Sequence, residues 1–397
     1  MFLRKKHIPI KGQLSQGKNL SREGKLPIPV DLIRTVAILG VILLHASNDL
    51  TNQPMGMMSQ TALAIEIFRW VTVDIYQSIG RVGVPIFVML SGALLLQPSK
   101  KESLSEFFKK RWVRIGIPFV FWAAIYFVWD FAVQHQAFTA GAVIQGVLTG
   151  PYFQFWYIYM LVGLYLLTPF LRVMVAHSDP SLFKFFIVMW FTGSAVLPVL
   201  ALISPYHLDG NVLTIPGYVG YYILGVYLLN VKVRRSTLAL LMSLGFALTV
   251  FGTYIMAGSI GGPETYFFQQ YLSPTLILSA VMLFLLLSTV KKPSIGALTG
   301  KLTTESESPQ KETVKEKVGH PKVGKLLSVI SVNTLPIFLF HEMVLESLQK
   351  GYLGVTINGN TINSIIGVPL ISAITLGICL LVILPLKRVP VLKKLLG

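Results

Sequence analysis

Long apolar stretches alternate with short polar segments along most of this chain, and the alternation predicts the fold. Each stretch is close to the ~20 residues that a helix needs to cross hydrocarbon. The stretches are 29–49, 71–97, 113–134, 155–176, 182–203, 214–231, 235–257, 268–290, 325–349 and 362–386. They predict an all-α, polytopic integral membrane protein with about ten transmembrane helices. The second stretch has an alternative interpretation. Residues 56–80 would form a separate interfacial helix, and the membrane crossing would start near Arg81.

The basic residues predict the orientation of these helices. If the N-terminus is cytoplasmic, 30 of the 34 Lys and Arg residues fall in cytoplasmic segments. These segments are 1–28, 98–114, 172–184, 232–235, 291–325 and 387–397. The outer loops near 135–154, 204–213 and 258–267 hold no Lys or Arg. By the positive-inside rule, we expect both termini to be cytoplasmic and the protein to be a multi-pass protein of the plasma membrane.

Composition supports lipid as the solvent of this chain. Hydrophobic residues make up 53% and charged residues only 13%, whereas soluble domains carry about 25% charged residues. The formal net charge of +17 would suggest nucleic acid for a soluble protein. Because this charge is confined to loops, we expect membrane lipid and no nucleic acid as a partner. The single cysteine, Cys379, excludes a disulfide framework.

The predicted membrane domain covers 29–390, between a basic tail over 1–28 and a short tail over 391–397. Its polar insert, 291–325, mixes both charge signs with Ser, Thr, Gly and Pro. Such a segment cannot bury a core and is typical of a disordered loop, either a passive linker or a regulatory or partner-binding segment. Glycine-rich phosphate loops and zinc-ligand spacings are absent from the sequence, so any chemistry must come from polar residues in or near the membrane.

The first predicted span carries three such residues, Asp31, Arg34 and His45. Eleven helical residues turn through about 1100°, so Arg34 and His45 lie roughly 20° apart on one face, separated by a rise of about 16 Å. Asp31 is at the i,i+3 spacing that allows an ion pair with Arg34. Histidine titrates near neutral pH and can act as a general base. The alternative is an interfacial Asp31–Arg34 anchor with His45 snorkelling outwards.

Two further pairs are candidates at the predicted ends of the spans. Arg111 and Arg114 stand at i,i+3 where the third span leaves the cytoplasm, and arginine forks bind phosphate oxygens bidentately. Plain positive-inside anchoring is the alternative. His341 and Glu342 lie in the outer half of the ninth span, where Glu342 can orient a histidine or bind sugar hydroxyls. A helix-packing polar pair is the alternative there.

Six ordered landmarks resemble the membrane acyltransferase-3 family from about residue 28 to 390. The first is Arg34-x10-His45 in a span that opens PVDLIRTVAILGV, and the second is RVGVPIFVMLSGALLL, which contains Arg81 and Ser91. Arg111-Trp-Val-Arg114 followed by Pro118 is similar to the family's Arg-x-x-Arg motif. The later landmarks are FWYIYMLVGLYLLTPFL, GYVGYYILGVYL and SVNTLPIFLFHEMVL.

The resemblance implies an integral-membrane O-acyltransferase that moves an acyl group, most often acetyl, from acyl-CoA to a hydroxyl. Family acceptors are typically cell-surface glycans or lipid-linked sugars. We expect His45 to be the general base and Arg34, Arg111 and Arg114 to bind the donor. Supporting or acceptor-side roles are expected for Asp31, Arg81, Ser91, His341 and Glu342. We expect no metal and no permanently bound cofactor, since acyl-CoA is a substrate.

Some members of this family carry a fused extracytoplasmic esterase-like domain, and no such domain follows residue 390 in this sequence. We therefore expect direct transfer to the acceptor or transfer to separate glycan-assembly partners. The competing class is a secondary transporter or lipid-linked-sugar flippase, in which the same polar residues would form a proton relay or substrate path. A non-catalytic membrane scaffold is a third class, and the aligned polar residues of the first span argue against it.

Overall fold

A computed structural model describes residues 28–48, 60–97, 102–136, 139–203, 217–259, 262–290, 321–358 and 363–397. This part of the chain is 86% helical and contains no strand, in agreement with the predicted all-α fold. Nearly all of the predicted tail 1–28, and residues 291–320 of the predicted loop, lie outside the described residues. The α-helices are α1 (Val30–Ser47), α2 (Gln60–Arg81), α3 (Gly83–Leu95), α4 (Leu104–Arg111), α5 (Ile117–Ala132), α6 (Ala140–Thr149), α7 (Trp156–His177), α8 (Pro180–Phe191), α9 (Leu197–Ile203), α10 (Gly217–Tyr227), α11 (Arg235–Ser259), α12 (Pro274–Ser288), α13 (Pro321–Val332), α14 (Thr334–Gln349), α15 (Ser364–Leu386) and α16 (Pro390–Leu396).

Eight helical segments of the described chain are long and apolar enough to cross a membrane. A ninth is obtained if α13 and α14, which are bent by 78° around Asn333, count as one span. The predicted number of ten is therefore not confirmed. The difference lies at the predicted span 214–231, where α10 has 11 residues and is followed by a 3₁₀ turn, Leu228–Asn230. Residues 204–216 before it lie outside the described part.

The second predicted span begins earlier than the sequence pattern suggested. Only Val82 separates α2 from α3, and together they give one candidate span, Ala64–Leu95. A β-carbon on Gly80 would lie 2.7 Å from the carbonyl oxygen of Gly40 on α1, and one on Gly83 would lie 2.5 Å from that of Ala37. Small residues at these positions let the helix backbones approach closely. They bring α1 against the junction of α2 and α3.

Helix α1 lies at the centre of the bundle, in contact with α2, α3, α12, α13, α14 and α15. Its side chains Ile33, Ala37, Ile38 and Ile42 are completely buried. Helix α14 is buried along most of its length, as expected for a helix that is apolar on nearly all sides. His45, His341 and Glu342, unlike the exposed Asp31, therefore lie mostly inside the protein, where they must find partners among neighbouring helices.

Candidate active site

His45 in the last turn of α1 meets Glu342 in the middle of α14. His45 Nδ1 lies 3.0 Å from Glu342 Oε1, and His341 Nε2 lies 3.2 Å from the same oxygen. The two imidazole rings have centroids 5.3 Å apart. His341 is fully buried, whereas the side chains of His45 and Glu342 are 14% and 9% exposed. One carboxylate oxygen thus lies between two histidines at the edge of a buried site.

The backbone of α14 fixes the tautomer of His341. Its Nδ1 lies 2.7 Å from the carbonyl oxygen of Phe338, which can only accept, so Nδ1 carries the proton. With its proton on Nδ1, His341 has none on Nε2 to donate to Glu342 Oε1, and the contact from His45 lacks the alignment of a straight hydrogen bond. Within the described chain, Oε1 and His341 Nε2 are consequently buried polar atoms without a well-formed hydrogen bond. This geometry leaves the cluster able to adjust when a proton arrives.

The same three side chains could also hold a metal ion. Each offers one ligand atom, and the three atoms lie within 4.8 Å of one another. Two histidines and a carboxylate are a common ligand set for catalytic zinc. A histidine whose ring nitrogen contacts a carboxylate is equally the arrangement of an oriented general base.

A second cluster combines Arg34 of α1, Arg111 at the end of α4 and Arg114 just after it with Tyr165 of α7. The guanidinium groups of Arg34, Arg111 and Arg114 all interact electrostatically with the hydroxyl of Tyr165 on α7. Arg111 Cζ lies 5.9 Å from the centre of the Tyr165 ring. The three arginines that the sequence predicts to bind the donor therefore converge around one tyrosine. Three neighbouring guanidinium groups are suited to an anion with several negative charges.

The helix that carries Arg114 is irregular at this point. Residues Trp112–Gly116 form a π-helical turn between α4 and α5, a feature that is frequent at functional sites. A β-carbon on Gly116 would lie 2.3 Å from the Trp112 ring, so the glycine makes room for this tryptophan. The side chain of Arg114 is exposed and that of Arg111 is partly buried. The turn thus places two arginines with different accessibility on one side of the cluster.

Arg172, at the far end of α7, was not predicted from the sequence. Its Nη2 lies 2.7 Å from Glu102 Oε1, and Arg111 Nη2 lies 4.0 Å from the same oxygen. Burial raises the pKa of Glu102, but the hydrogen bond from Arg172 and the neighbouring positive charges of Lys110 and Arg111 outweigh it and lower the pKa. Glu102 is thus an ionised anchor that holds Arg111 and Arg172 at the edge of the arginine cluster.

Helix α7 and the turn before it connect the two clusters. Phe153 contacts the His45 ring, with centroids 5.3 Å apart. Tyr157, one helical turn on, packs on Phe338 at 5.1 Å and interacts electrostatically with Arg34 and Tyr165. Phe153 and Tyr157 therefore lie between His45 and the arginine cluster.

The other predicted residues lie around these clusters. Asp31 accepts a hydrogen bond of 2.7 Å from Ser331 Oγ on α13. It attracts Arg34, but the close ion pair that the i,i+3 spacing allows is not formed between these two described residues. Arg81 donates to Gln269 Oε1 at 3.2 Å and lies over the Tyr271 ring. Ser91 is partly exposed on α3, away from these contacts.

The comparison with known families decides the class of the protein. A sequence model described as an acyltransferase domain, that of the acyltransferase-3 family, matches residues 29–384. The chain belongs to the acyltransferase-3 family. No curated protein and no solved structure matches it. The family indicates acyltransferase activity in general, and its match together with the apolar helices indicates a multi-pass membrane protein.

Beside the site of this acyltransferase-3 protein lies one further carboxylate that the sequence interpretation missed. Glu346 accepts hydrogen bonds from Trp129 Nε1 and the Tyr152 hydroxyl, both at 2.9 Å, and from Gln134 Nε2. It ties α5 and the segment before α7 to α14, one turn beyond Glu342. The i,i+4 spacing of two acids in an apolar helix was the available signal.

Proposed function

We propose that this acyltransferase-3 protein is a plasma-membrane enzyme that transfers an acyl group, acetyl in the first instance, from cytosolic acyl-CoA to a hydroxyl. The acceptor is a cell-surface glycan or a lipid-linked sugar. The observation that carries the proposal is the 3.0 Å contact between His45 Nδ1 and Glu342 Oε1. A carboxylate this close to Nδ1 favours the tautomer with the proton on that nitrogen, which leaves the other, Nε2, free to accept a proton.

His45 acts as the general base in this proposal. Its Nε2 accepts the proton of the acceptor hydroxyl while the hydroxyl oxygen attacks the thioester carbonyl carbon. The tetrahedral intermediate collapses with cleavage of the carbon–sulfur bond. The proton held on His45 passes to the departing CoA sulfur, so an ester and free CoA result and the imidazole is neutral again. Glu342 stabilises the transient imidazolium, and His341 packs beside it.

The arginine cluster binds the phosphates of the donor. Arg34, Arg111 and Arg114 are all near enough to Tyr165 to interact with it electrostatically, and Arg34 stands about 16 Å along α1 from His45. A long, thin and largely uncharged pantetheine arm suits the distance between them. It runs beside Phe153 and Tyr157, with the phosphates at the arginines and the thioester near His45. The predicted cytoplasmic position of the arginines agrees with a cytosolic donor.

Thioester cleavage by the purified protein in lipid vesicles tests this function. We expect release of CoA thiol from acetyl-CoA, detected with a thiol reagent, and faster release when glycan acceptor is added. The secondary-transporter alternative requires movement of a lipid-linked or small polar substrate without thioester cleavage. Protein that never cleaves acetyl-CoA, or longer acyl-CoA thioesters, would contradict the proposal.

A further inference from the structure

Two guanidinium groups share one carboxylate and one aromatic ring at the start of α4. Glu102 Oε1 lies 2.7 Å from Arg172 Nη2 and 4.0 Å from Arg111 Nη2. The Cζ atoms of Arg111 and Arg172 lie 4.4 Å and 4.9 Å from the centre of the Phe107 ring. Phe107 is only 1% exposed, so packing holds its ring in place. One carboxylate and one buried ring therefore determine where the two arginines stand.

Arg172 fixes this carboxylate to the rest of the bundle. Its Nη2 donates to Glu102 Oε1, and its Nε donates to the carbonyl oxygen of Leu95 at the end of α3, at 2.6 Å. The side chains of Arg172 and Glu102 are only 14% and 11% exposed. An arginine that donates to two separate acceptors has little freedom left to bind a ligand. Arg172 thus joins α3, the start of α4 and α7.

Arg111 is held less tightly than Arg172. Its distance of 4.0 Å from Glu102 Oε1 is longer than a hydrogen bond. The guanidinium is placed by this neighbouring charge and by the rings of Phe107 and Tyr165, at 4.4 Å and 5.9 Å from Cζ. Such a guanidinium has a defined position and can still turn its N–H groups towards an incoming phosphate.

The arginines at this end of the bundle also repel one another. Arg34, Arg111 and Arg114 lie around Tyr165, and Arg172 lies beside Arg111 on the Phe107 ring. Like charges at such short range disfavour a common position for the side chains. Glu102 supplies a negative charge next to Arg111 and Arg172 before a donor arrives. It can therefore keep Arg111 within the cluster while the site is empty.

We propose that Glu102 is a positioning residue of the acyl-CoA site, whose carboxylate holds Arg111 towards the donor phosphates without touching the donor. The inference rests on the proposed function, because it requires the donor phosphates at the arginine cluster. It predicts that a negative charge strengthens the binding of an anion. Charge balance alone predicts the opposite sign, since removal of a carboxylate near an anion site should tighten the binding of the anion.

CoA binding to the full-length protein in nanodiscs tests this sign. Glu102→Gln preserves the shape of the side chain but removes its charge. We expect the Kd for CoA to rise about tenfold, the size of one hydrogen bond to a charged group. The KM for acetyl-CoA should rise with it, whereas kcat should stay close to that of the wild type because the His45 site is remote.

Glu106→Gln is the matched control. It removes the same charge from α4, where Glu106 Oε1 lies 2.6 Å from Lys110 Nζ and both side chains are 53% exposed. CoA should bind this variant as it binds the wild type. Equal losses of affinity in Glu102→Gln and Glu106→Gln would show an effect of net charge on α4 and would overturn the positioning role.

A double-mutant cycle tests whether Glu102 acts through Arg111. Arg111→Ala should weaken CoA binding by itself. In the Arg111→Ala background, Glu102→Gln should weaken binding no further, because the effects of residues that act as one unit are not additive. Fully additive losses would show that Glu102 acts on the fold in general, and they would refute the proposal.

CoA binding by the wild type keeps this inference separate from the proposed function. If the wild type bound no CoA, the donor site itself would be wrong and the proposed function would fail. If the wild type binds CoA and Glu102→Gln binds it equally or more tightly, only the positioning role of Glu102 is overturned.

Discussion

Glu342 Oε1 lies 3.0 Å from His45 Nδ1, although the two residues belong to the first and the ninth predicted spans. The contact joins the last turn of α1 to the middle of α14, and both helices are packed inside the bundle. A carboxylate this close to an imidazole nitrogen favours the tautomer that carries a proton there and attracts the imidazolium form. The catalytic role proposed for His45 therefore depends on Glu342.

Replacement of Glu342 by Gln should lower kcat for acyl transfer by about 10²-fold or more, because the imidazolium loses its counter-charge. The KM for acyl-CoA should remain close to that of the wild type, since the arginine cluster is untouched. Steady-state kinetics of thioester cleavage measure both values. Glu346→Gln removes the same charge one turn along α14 and is the matched control. Equal losses in the two variants would count against an orienting role for Glu342.

Replacement of Arg111 and Arg114 by Lys keeps the charge but removes the guanidinium forks. If the arginines bind phosphate oxygens, donor affinity should fall by about tenfold or more, while expression and membrane insertion remain normal. Binding of acyl-CoA to the purified double variant measures this. Arg388→Lys, a conservative change outside the cluster, is the control. Unchanged donor affinity in the double variant would indicate that both arginines serve only as membrane anchors.

Cysteine labelling from outside intact cells tests the predicted orientation. The only native cysteine, Cys379, is buried, so a background of a single inaccessible thiol is available. A cysteine at position 140 or 260 should react with an impermeant reagent, and a cysteine at 105 or 310 should be protected. Labelling at 310 in intact cells would show that the predicted orientation is wrong. The arginine cluster would then lie on the side of the membrane opposite to cytosolic acyl-CoA.

Chelation separates the general-base account from a metal at the same three side chains. If His45 acts as a base, dialysis against EDTA should leave acyl transfer unchanged. Added zinc should inhibit, because His45, His341 and Glu342 can share the ion and the ion then occupies a nitrogen of the base. Elemental analysis of the purified protein provides the parallel measurement. Loss of activity on chelation, with recovery when zinc is returned, would contradict the general-base mechanism. It would favour a mechanism in which a metal ion activates the acceptor hydroxyl.

The sequence predicted the location of several candidate residues better than it predicted their contacts. The predicted orientation of the spans placed Arg34, Arg111 and Arg114 at one end of the bundle. In the structure all three lie near Tyr165. For His45 and Glu342, hydropathy predicted only that the two residues lie at a comparable depth in the membrane. Which helix faces meet is set by tertiary packing, here by the close approach of α1 to its neighbours and by the bend before α14.

Arg172 escaped prediction because its sequence context is ordinary. Arg172 looks like any basic residue at a predicted cytoplasmic helix end, and only the structure shows its pairing with Glu102. Asp31 illustrates the opposite case, since the i,i+3 rule favoured Arg34 as its partner. In the structure, Ser331 on α13 donates a hydrogen bond to Asp31 instead. A partner from another helix cannot be predicted from spacing within one helix.

Replacement of His45 by Ala tests the central claim most directly. Acyl transfer should fall by about 10²–10⁴-fold, while the protein stays inserted and still binds acyl-CoA, since Arg34 lies about 16 Å away along α1. In the wild type, activity should decrease as pH falls through the titration of His45, because imidazolium cannot accept the hydroxyl proton. Acyl transfer at a near wild-type rate by His45→Ala would contradict the account.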